Sequence, residues 1–255
     1  MKIAVLVKQV IGSESALEIS DDGRWVKEEN ASFVMNPPDH YAIEEALVIK
    51  EKLGEGEVVI VSKGPTRVQK VIREGLAKGA DRGIHIEEDI DAIETDPLIL
   101  AKSLASGLKD ENFDLIFSGL QSDDLGSGQT GVLIGEMLDM STATLGIETD
   151  IEESKIKVKR ELESGWFQWV TLPLPASVSI QSGINEPRYP SLKGIMGAKR
   201  KESKVIDGQS SAAKQNFINL FIPKNEKATE RIEGDVDGIV AKIMDILKNK
   251  LRVVS

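Results

Sequence analysis

FDLIFSGLQSDDLGSGQTGVLIGEMLD, Phe113 to Asp139, decides how this chain is read. An apolar run, Phe113–Phe117, leads into a loop with glycines at 119, 126, 128 and 131, and then into a helical run, Gly128–Asp139. A short apolar run bounded by turn residues predicts a buried strand. A strand, a glycine-rich turn and a helix start are the parts of a phosphate cradle. The start of a helix presents unpaired N–H groups and about half a positive charge. Yet the loop holds Asp123 and Asp124 and neither lysine nor arginine. It is neither GxxxxGK[ST] nor a GxGxxG after the first strand. Composition and spacing leave two readings open: a nucleotide site, or a capped turn with an Asx cluster. On the first reading Gly126 and Gly128 admit a phosphate against residues 128–130, and Thr130 adds a hydroxyl. The aspartates turn away and accept hydrogen bonds from ribose or adenine.

Working outward, strands and helices alternate. KIAVLVKQ (Lys2–Gln9), EVVIVSKG (Glu57–Gly64) and RGIHIEE (Arg82–Glu88) read as buried strands. Helices are predicted over Asp39–Gly54, with Asp39 as N-cap, over Pro65–Ala80, and over Asp96–Asn112. This order predicts an α/β fold: a mostly parallel, Rossmann-like sheet with helices on both faces. Ligands are then expected beyond the carboxyl ends of the strands. Three loops leave strands there: Lys8–Ser13, Ser62–Thr66 and Ser118–Thr130. Thr142–Gly183 alternates apolar and polar, which predicts two or three partly antiparallel strands extending the sheet. From Ile184 to about Pro223 the periodicity is weak. The expected organisation is a nucleotide-binding domain over 1–183 and an extended partner-binding arm over 184–255. The arm ends in a helix, Gly234–Leu251, striped by Ile239, Val240, Ile243, Ile246 and Leu247.

Composition excludes whole classes of chemistry. With no cysteine, disulfides, thiol catalysis and Cys-ligated metals are ruled out, and with two histidines, His40 and His85, a His-based metal site or Ser-His-Asp triad is not expected. No apolar run approaches the ~18 residues that cross a bilayer. The N-terminal segment lacks a signal peptide's apolar stretch and cleavage site, so a cytoplasmic location is expected. Net charge is −10, unevenly spread. After Pro190 there are 13 basic and 8 acidic residues, leaving 19 and 34 before it. An acidic body argues against nucleic acid as the ligand.

The motifs, taken together, resemble the β subunit of electron transfer flavoproteins. The matching pieces run in order: VKQV (Val7–Val10), MNPPDHYAIEEAL (Met35–Leu47), VSKGP (Val61–Pro65), LAKGADRGIHIE (Leu76–Glu87), GLQSDDLGSGQTG (Gly119–Gly131), VKRELESG (Val158–Gly165), LPLPASVSI (Leu172–Ile180) and NEPRYPSLKGIMGAKRK (Asn185–Lys201). The resemblance implies an adenine-nucleotide-binding type of sandwich that pairs with an α subunit. It implies FAD at the interface with that subunit and a structural AMP in this chain. It implies electron flow from flavoprotein dehydrogenases of the acyl-CoA type to a quinone-linked oxidoreductase in the membrane. Carried over position by position, the nucleotide contacts are Leu6, Asn36, Lys63, Gly119, Ser122, Asp124, Gly128, Gln129 and Thr130. Leu192 is the leucine expected to insert into dehydrogenase partners. No catalytic residue and no metal ligand is expected.

Some positions depart from the family pattern. Pro38 stands where many members have an aromatic residue, Ser13 replaces another, and Leu120 takes the place of a basic residue after the loop's first glycine. Lys63 is expected to supply that missing charge beside the phosphate. Two alternatives stay open. One is an electron-bifurcating flavoprotein with a second FAD in this chain and NADH as donor. The other is a nucleotide-sensing module of the universal-stress type. Away from the loop, His85 is read as structural, Asn36 as a ligand contact or a turn former before proline, and Glu44 and Glu45 as exposed helix charges. Trp166 and Trp169 are read as packing in the core or under the partner, and Lys199, Arg200 and Lys201 as an interaction run.

Overall fold

The computed structural model describes residues 1–88, 96–209, 212–223 and 229–254. The chain divides into two compact units, Met1–Leu220 and Phe221–Ser255.

The first unit is built around a parallel sheet. Strand β1 (Lys2–Leu6) is followed by β2 (Gln9–Ile11) and β3 (Phe33–Met35), which pair with each other as a small antiparallel ribbon. Helix α1 (Pro37–Leu53) follows, then β4 (Glu57–Gly64), α2 (Gln69–Lys78), β5 (Arg82–Glu87), α3 (Pro97–Leu108), β6 (Leu115–Gly119) and α4 (Thr130–Met137). Next come β7 (Ser141–Glu152), β8 (Lys155–Glu161), β9 (Phe167–Pro173) and β10 (Ala176–Ile180), then α5 (Leu192–Ala198) and β11 (Ser203–Asp207). Nine strands form one sheet in the order β11-β5-β4-β1-β6-β10-β7-β8-β9. All neighbours are parallel except β7–β8 and β8–β9.

Helices cover both faces, as strand–helix alternation requires. Ile3, Val5 and Val7 point to the face held by α1 and α2, with Ala42, Ala46, Ile72 and Leu76 packed against them. Ala4 and Leu6 point to the other face, where Leu104 and Leu108 of α3 and Ile134 of α4 close the second core. Burial of each such aliphatic side chain contributes roughly 1.5–3 kcal/mol. The punctuation is local. Gly54 ends α1 in the left-handed conformation, at φ 75°. Asp96 caps α3 by accepting from Leu98 N at 2.9 Å, ahead of Pro97.

The structure corrects several expectations. The cap of α1 is Asn36, while Asp39 lies in its first turn. Thr142–Gly183 holds four strands, with β10 inserted between β6 and β7 inside the sheet. The stretch after Ile184 is not wholly irregular, because α5 packs against α2 and β11 joins the free edge of β5. Glu44 and Glu45 are buried, not exposed. Arg188 pairs with Glu44, and Thr149 and Asn185 donate to Glu45. Trp166 and Trp169 are exposed beside the sheet edge formed by β9, so they are not core residues. His85 is fully buried, with Nε2 2.8 Å from the carbonyl of Gly64.

The second unit holds α6 (Val236–Asp245), capped by Asp235 and continued by one π turn over Ile246–Lys250. Residues 210–211, 224–228 and 255 of the expected arm lie outside the described residues. Among the described residues, no helix is long and apolar enough to cross a membrane.

Candidate functional site

β1 is the switch point of the sheet. The chain runs from β1 to β4 and β5 on one side, then crosses to β6 on the other. At such a point the loops leaving neighbouring strands diverge and open a crevice. Here the cleft is floored by Leu6, Val61 and Ser118 at the strand ends. One wall is the segment 119–131, and the other includes Asp96, Pro97 and Leu100 of α3. Eight of the nine positions singled out from the sequence line it: Leu6, Asn36, Lys63, Gly119, Ser122, Gly128, Gln129 and Thr130. Asp124 does not. Leu192 lies on α5, and its side chain is 82% exposed.

Asn36 and Asp39 hold the cleft loop in place. Asn36 Nδ2 donates to Asp39 Oδ1 and to Gln121 O, both at 3.0 Å, and its Oδ1 accepts from Asp123 N. Both amide hydrogens of Asn36 are therefore engaged within the protein. Asp39 accepts from Asn36 Nδ2, from Gly119 N at 3.2 Å and from Lys8 N at 2.7 Å. One carboxylate thus ties α1 to the loops after β1 and β6. Burial pushes its pKa up to about 7, against the pull of those three donors. The loop also needs Gly119 itself, since a Cβ there would run into Asp39 Oδ1 and Pro38.

The charges around the cleft are paired. Lys8 Nζ lies 2.7 Å from Asp124 Oδ1 and donates to Ser122 Oγ at 3.3 Å. That contact draws Asp124 out of the cleft wall. Lys63, whose side chain is 2% exposed, meets Glu88 Oε2 at 2.6 Å. Its charge is therefore already balanced. At Asp96, the N–H of Lys214 first, with Leu98 and Gln215, holds the carboxyl below the ordinary range. Lys8, Asp39, Glu88 and Ser118 were not among the site residues read from sequence. Lys8 had a usable signal, for it follows the end of the first strand. Ser118, the residue before Gly119, had the same one.

The residues present fit a phosphate bound without a free cation. α4 begins at Thr130 with no side-chain cap from Gln129, so nothing of that kind competes for its first N–H groups. Gly126 and Gly128 adopt φ of 62° and 63°, which lets the backbone turn tightly just before that helix. Ser118 Oγ is buried at the cleft floor with no hydrogen-bond partner among the described residues. A buried hydroxyl without a partner costs free energy, and a ligand oxygen would relieve it. Among the described residues no cluster of His, Cys, Asp and Glu suits a metal ion.

The chain is similar to known proteins over nearly its whole length. A family model described as "Electron transfer flavoprotein domain" matches residues 24–210. The electron transfer flavoprotein subunit beta of Bradyrhizobium diazoefficiens is 38% identical over 257 residues, spanning 99% of this chain and 100% of its own. The subunit beta of Homo sapiens is 36% identical over 251 residues, 96% of this chain and 98% of its own. That of Methylophilus methylotrophus is 35% identical over 260 residues, 97% and 98%.

The chain belongs to the electron transfer flavoprotein β-subunit family.

Electron transfer flavoprotein β subunits are electron-carrier components. The matched span takes in Asn36, Asp39, Lys63 and the whole loop from Gly119 to Thr130, and also Leu192 on α5. The exposed leucine and most of the cleft therefore fall within the matched span, while Leu6 and Lys8 precede it.

Proposed function

We propose that the chain is the β subunit of a heterodimeric electron transfer flavoprotein, with AMP in its own cleft. The pair carries electrons from flavoprotein dehydrogenases of the acyl-CoA type to a quinone-linked oxidoreductase, and works in the cytoplasm. The observation that carries the reading is the cleft wall over 118–131. It offers an uncapped helix start and a hydroxyl without a partner among the described residues, while the cleft's Lys8 and Lys63 are already paired. That combination suits one phosphate group held by backbone N–H, with Ser118 and Thr130 as hydroxyl donors.

FAD bound between the two subunits supplies the redox chemistry, and the protein positions it. This chain's residues bind and orient. Gly128, Gln129 and Thr130 receive the phosphate and Ser122 stands nearest the sugar and base, while Asp124, paired with Lys8, steadies the loop. Leu6 packs beneath, Asn36 fixes the loop, and Lys63 with Glu88 lines the far wall. Leu192 docks the dehydrogenase. The mildly basic C-terminal region lies on the α subunit.

Co-expression with the α subunit followed by cofactor extraction tests this. One FAD and one AMP per heterodimer is the expected count. Two FAD with NADH oxidation would make it a bifurcating flavoprotein. A lone monomer binding ATP would make it a nucleotide sensor.

A further inference from the structure

α5 has little intrinsic reason to be a helix. Its sequence, LKGIMGA, is 7 residues long with two glycines. Each internal glycine costs about 1 kcal/mol of helix stability, and isolated helices under roughly 12 residues are marginal. Its large apolar side chains do not anchor it either. Leu192 is 82%, Met196 67% and Ile195 46% exposed, and only Ala198 is buried. Something else must hold this segment.

Two polar clamps and one close backbone contact do so. Ahead of the helix, Arg188 forks onto Glu44 of α1, with Nε and Nη2 each 2.9 Å from a carboxylate oxygen, and its own N–H donates to Glu44 Oε2. Nη2 also reaches Glu51 Oε2 at 3.0 Å. Within the helix, Gly194 lies so close to the Ala77 carbonyl of α2 that a Cβ would collide with it. Behind the helix, Lys201 Nζ donates to Leu76 O in the last turn of α2 at 3.0 Å and to Ala80 O just beyond it. The N-cap, Ser191 Oγ accepting from Gly194 N at 3.0 Å, completes the set.

We infer that Arg188, Gly194 and Lys201 are positioning residues that pre-form α5 as a rigid knob, leaving Leu192 and Met196 free to enter a dehydrogenase. The inference rests on the reading that the Leu192 segment docks the dehydrogenase. Its physical content is a saved cost of ordering. A segment already fixed loses less freedom on binding than one that must fold there. Held at its flanks by polar contacts and at Gly194 by close packing, the helix keeps its large apolar side chains free.

The test uses the αβ holoprotein carrying Arg188→Lys, Gly194→Ala or Leu192→Ala, with a flavoprotein acyl-CoA dehydrogenase and its acyl-CoA as reductant. Lysine cannot fork onto both glutamates, and alanine forces α5 off α2. Both clamp variants should raise the KM for the carrier about tenfold, with kcat, FAD content and dithionite reduction unchanged. Hydrogen exchange of the 192–198 amides should quicken in both. If Leu192→Ala raises KM but neither clamp variant does, the clamp inference fails. It fails equally if KM rises with no change in exchange. If Leu192→Ala leaves KM unchanged, the docking reading itself is wrong and the inference falls with it.

Discussion

Lys8 Nζ stands 2.7 Å from Asp124 Oδ1, joining the end of the first strand to the middle of the cleft loop. This pair would let an acidic loop face an anion, since one of its two aspartates is neutralised by a lysine 116 residues away. Lys8→Met should release the loop. Both side chains are partly exposed, so global stability should fall by less than about 1 kcal/mol. Affinity for AMP should fall more, about tenfold, because Ser122 loses its donor and Asp124 regains an unbalanced charge. Titration calorimetry with AMP, beside urea unfolding, separates the two. Equal affinities in both proteins would remove Lys8 from the site.

Gly119 is required for space rather than for an unusual backbone angle. A Cβ at this position would meet Asp39 Oδ1 and Pro38. Gly119→Ala should cost about 2 kcal/mol or more, through overpacking and through displacement of Asp39 from its N–H. The urea midpoint should drop and co-purified AMP should disappear. A fully stable variant that keeps its nucleotide would show that the α1–loop junction is looser than the geometry here.

Asp39 and His40, adjacent in the chain, should give opposite pH slopes. Burial raises Asp39 from 3.8 to about 7. The folded state then binds its proton more tightly, so the contribution present at low pH is lost as pH rises toward 7. Burial, with Lys78 adding to it, lowers His40 from 6.5 to about 4. Its contribution is present above pH 6.5 and lost as pH falls through 4. Urea unfolding between pH 4.5 and 7.5 should show wild type losing ground to Asp39→Asn as pH rises. The same series should show it gaining on His40→Gln. Parallel curves for all three proteins would refute both assignments.

Much of the fold was legible because its elements are periodic and self-punctuated. Residues 57–64 are a strand both by pattern and in the structure, and Gly54, Gly79 and Asp96 mark helix ends as read. What escaped depends on distant partners. SKVID becomes β11 only because β5 offers a bare edge. Glu44 and Glu45 read as solvent charges because Arg188, Thr149 and Asn185 lie more than 100 residues on. The same holds at the cleft. The glycine loop announces itself locally, and Lys8 could be read from its place after the first strand, but Asp39 and Glu88 acquire meaning only when the strand ends meet. Lys63 was visible, while the carboxylate that claims it was not.

That last pair gives a two-sided prediction. Lys63 is buried and held by Glu88 at 2.6 Å, in the wall of the cleft. Removing one member of a buried pair leaves the other charge without compensation, which costs up to roughly 3–5 kcal/mol, whereas removing both costs far less. Lys63→Met and Glu88→Gln should therefore each destabilise strongly, and the double variant should recover most of the loss. A double-mutant cycle in urea measures the coupling. Nucleotide affinity should move in opposite directions. Lys63→Met removes a positive group from that wall and should weaken AMP binding, while Glu88→Gln frees the ammonium for a phosphate and should tighten it. A coupling near zero would reduce the contact to a bystander. Affinity changes of the same sign in both variants would show that Lys63 acts on the nucleotide only through the fold.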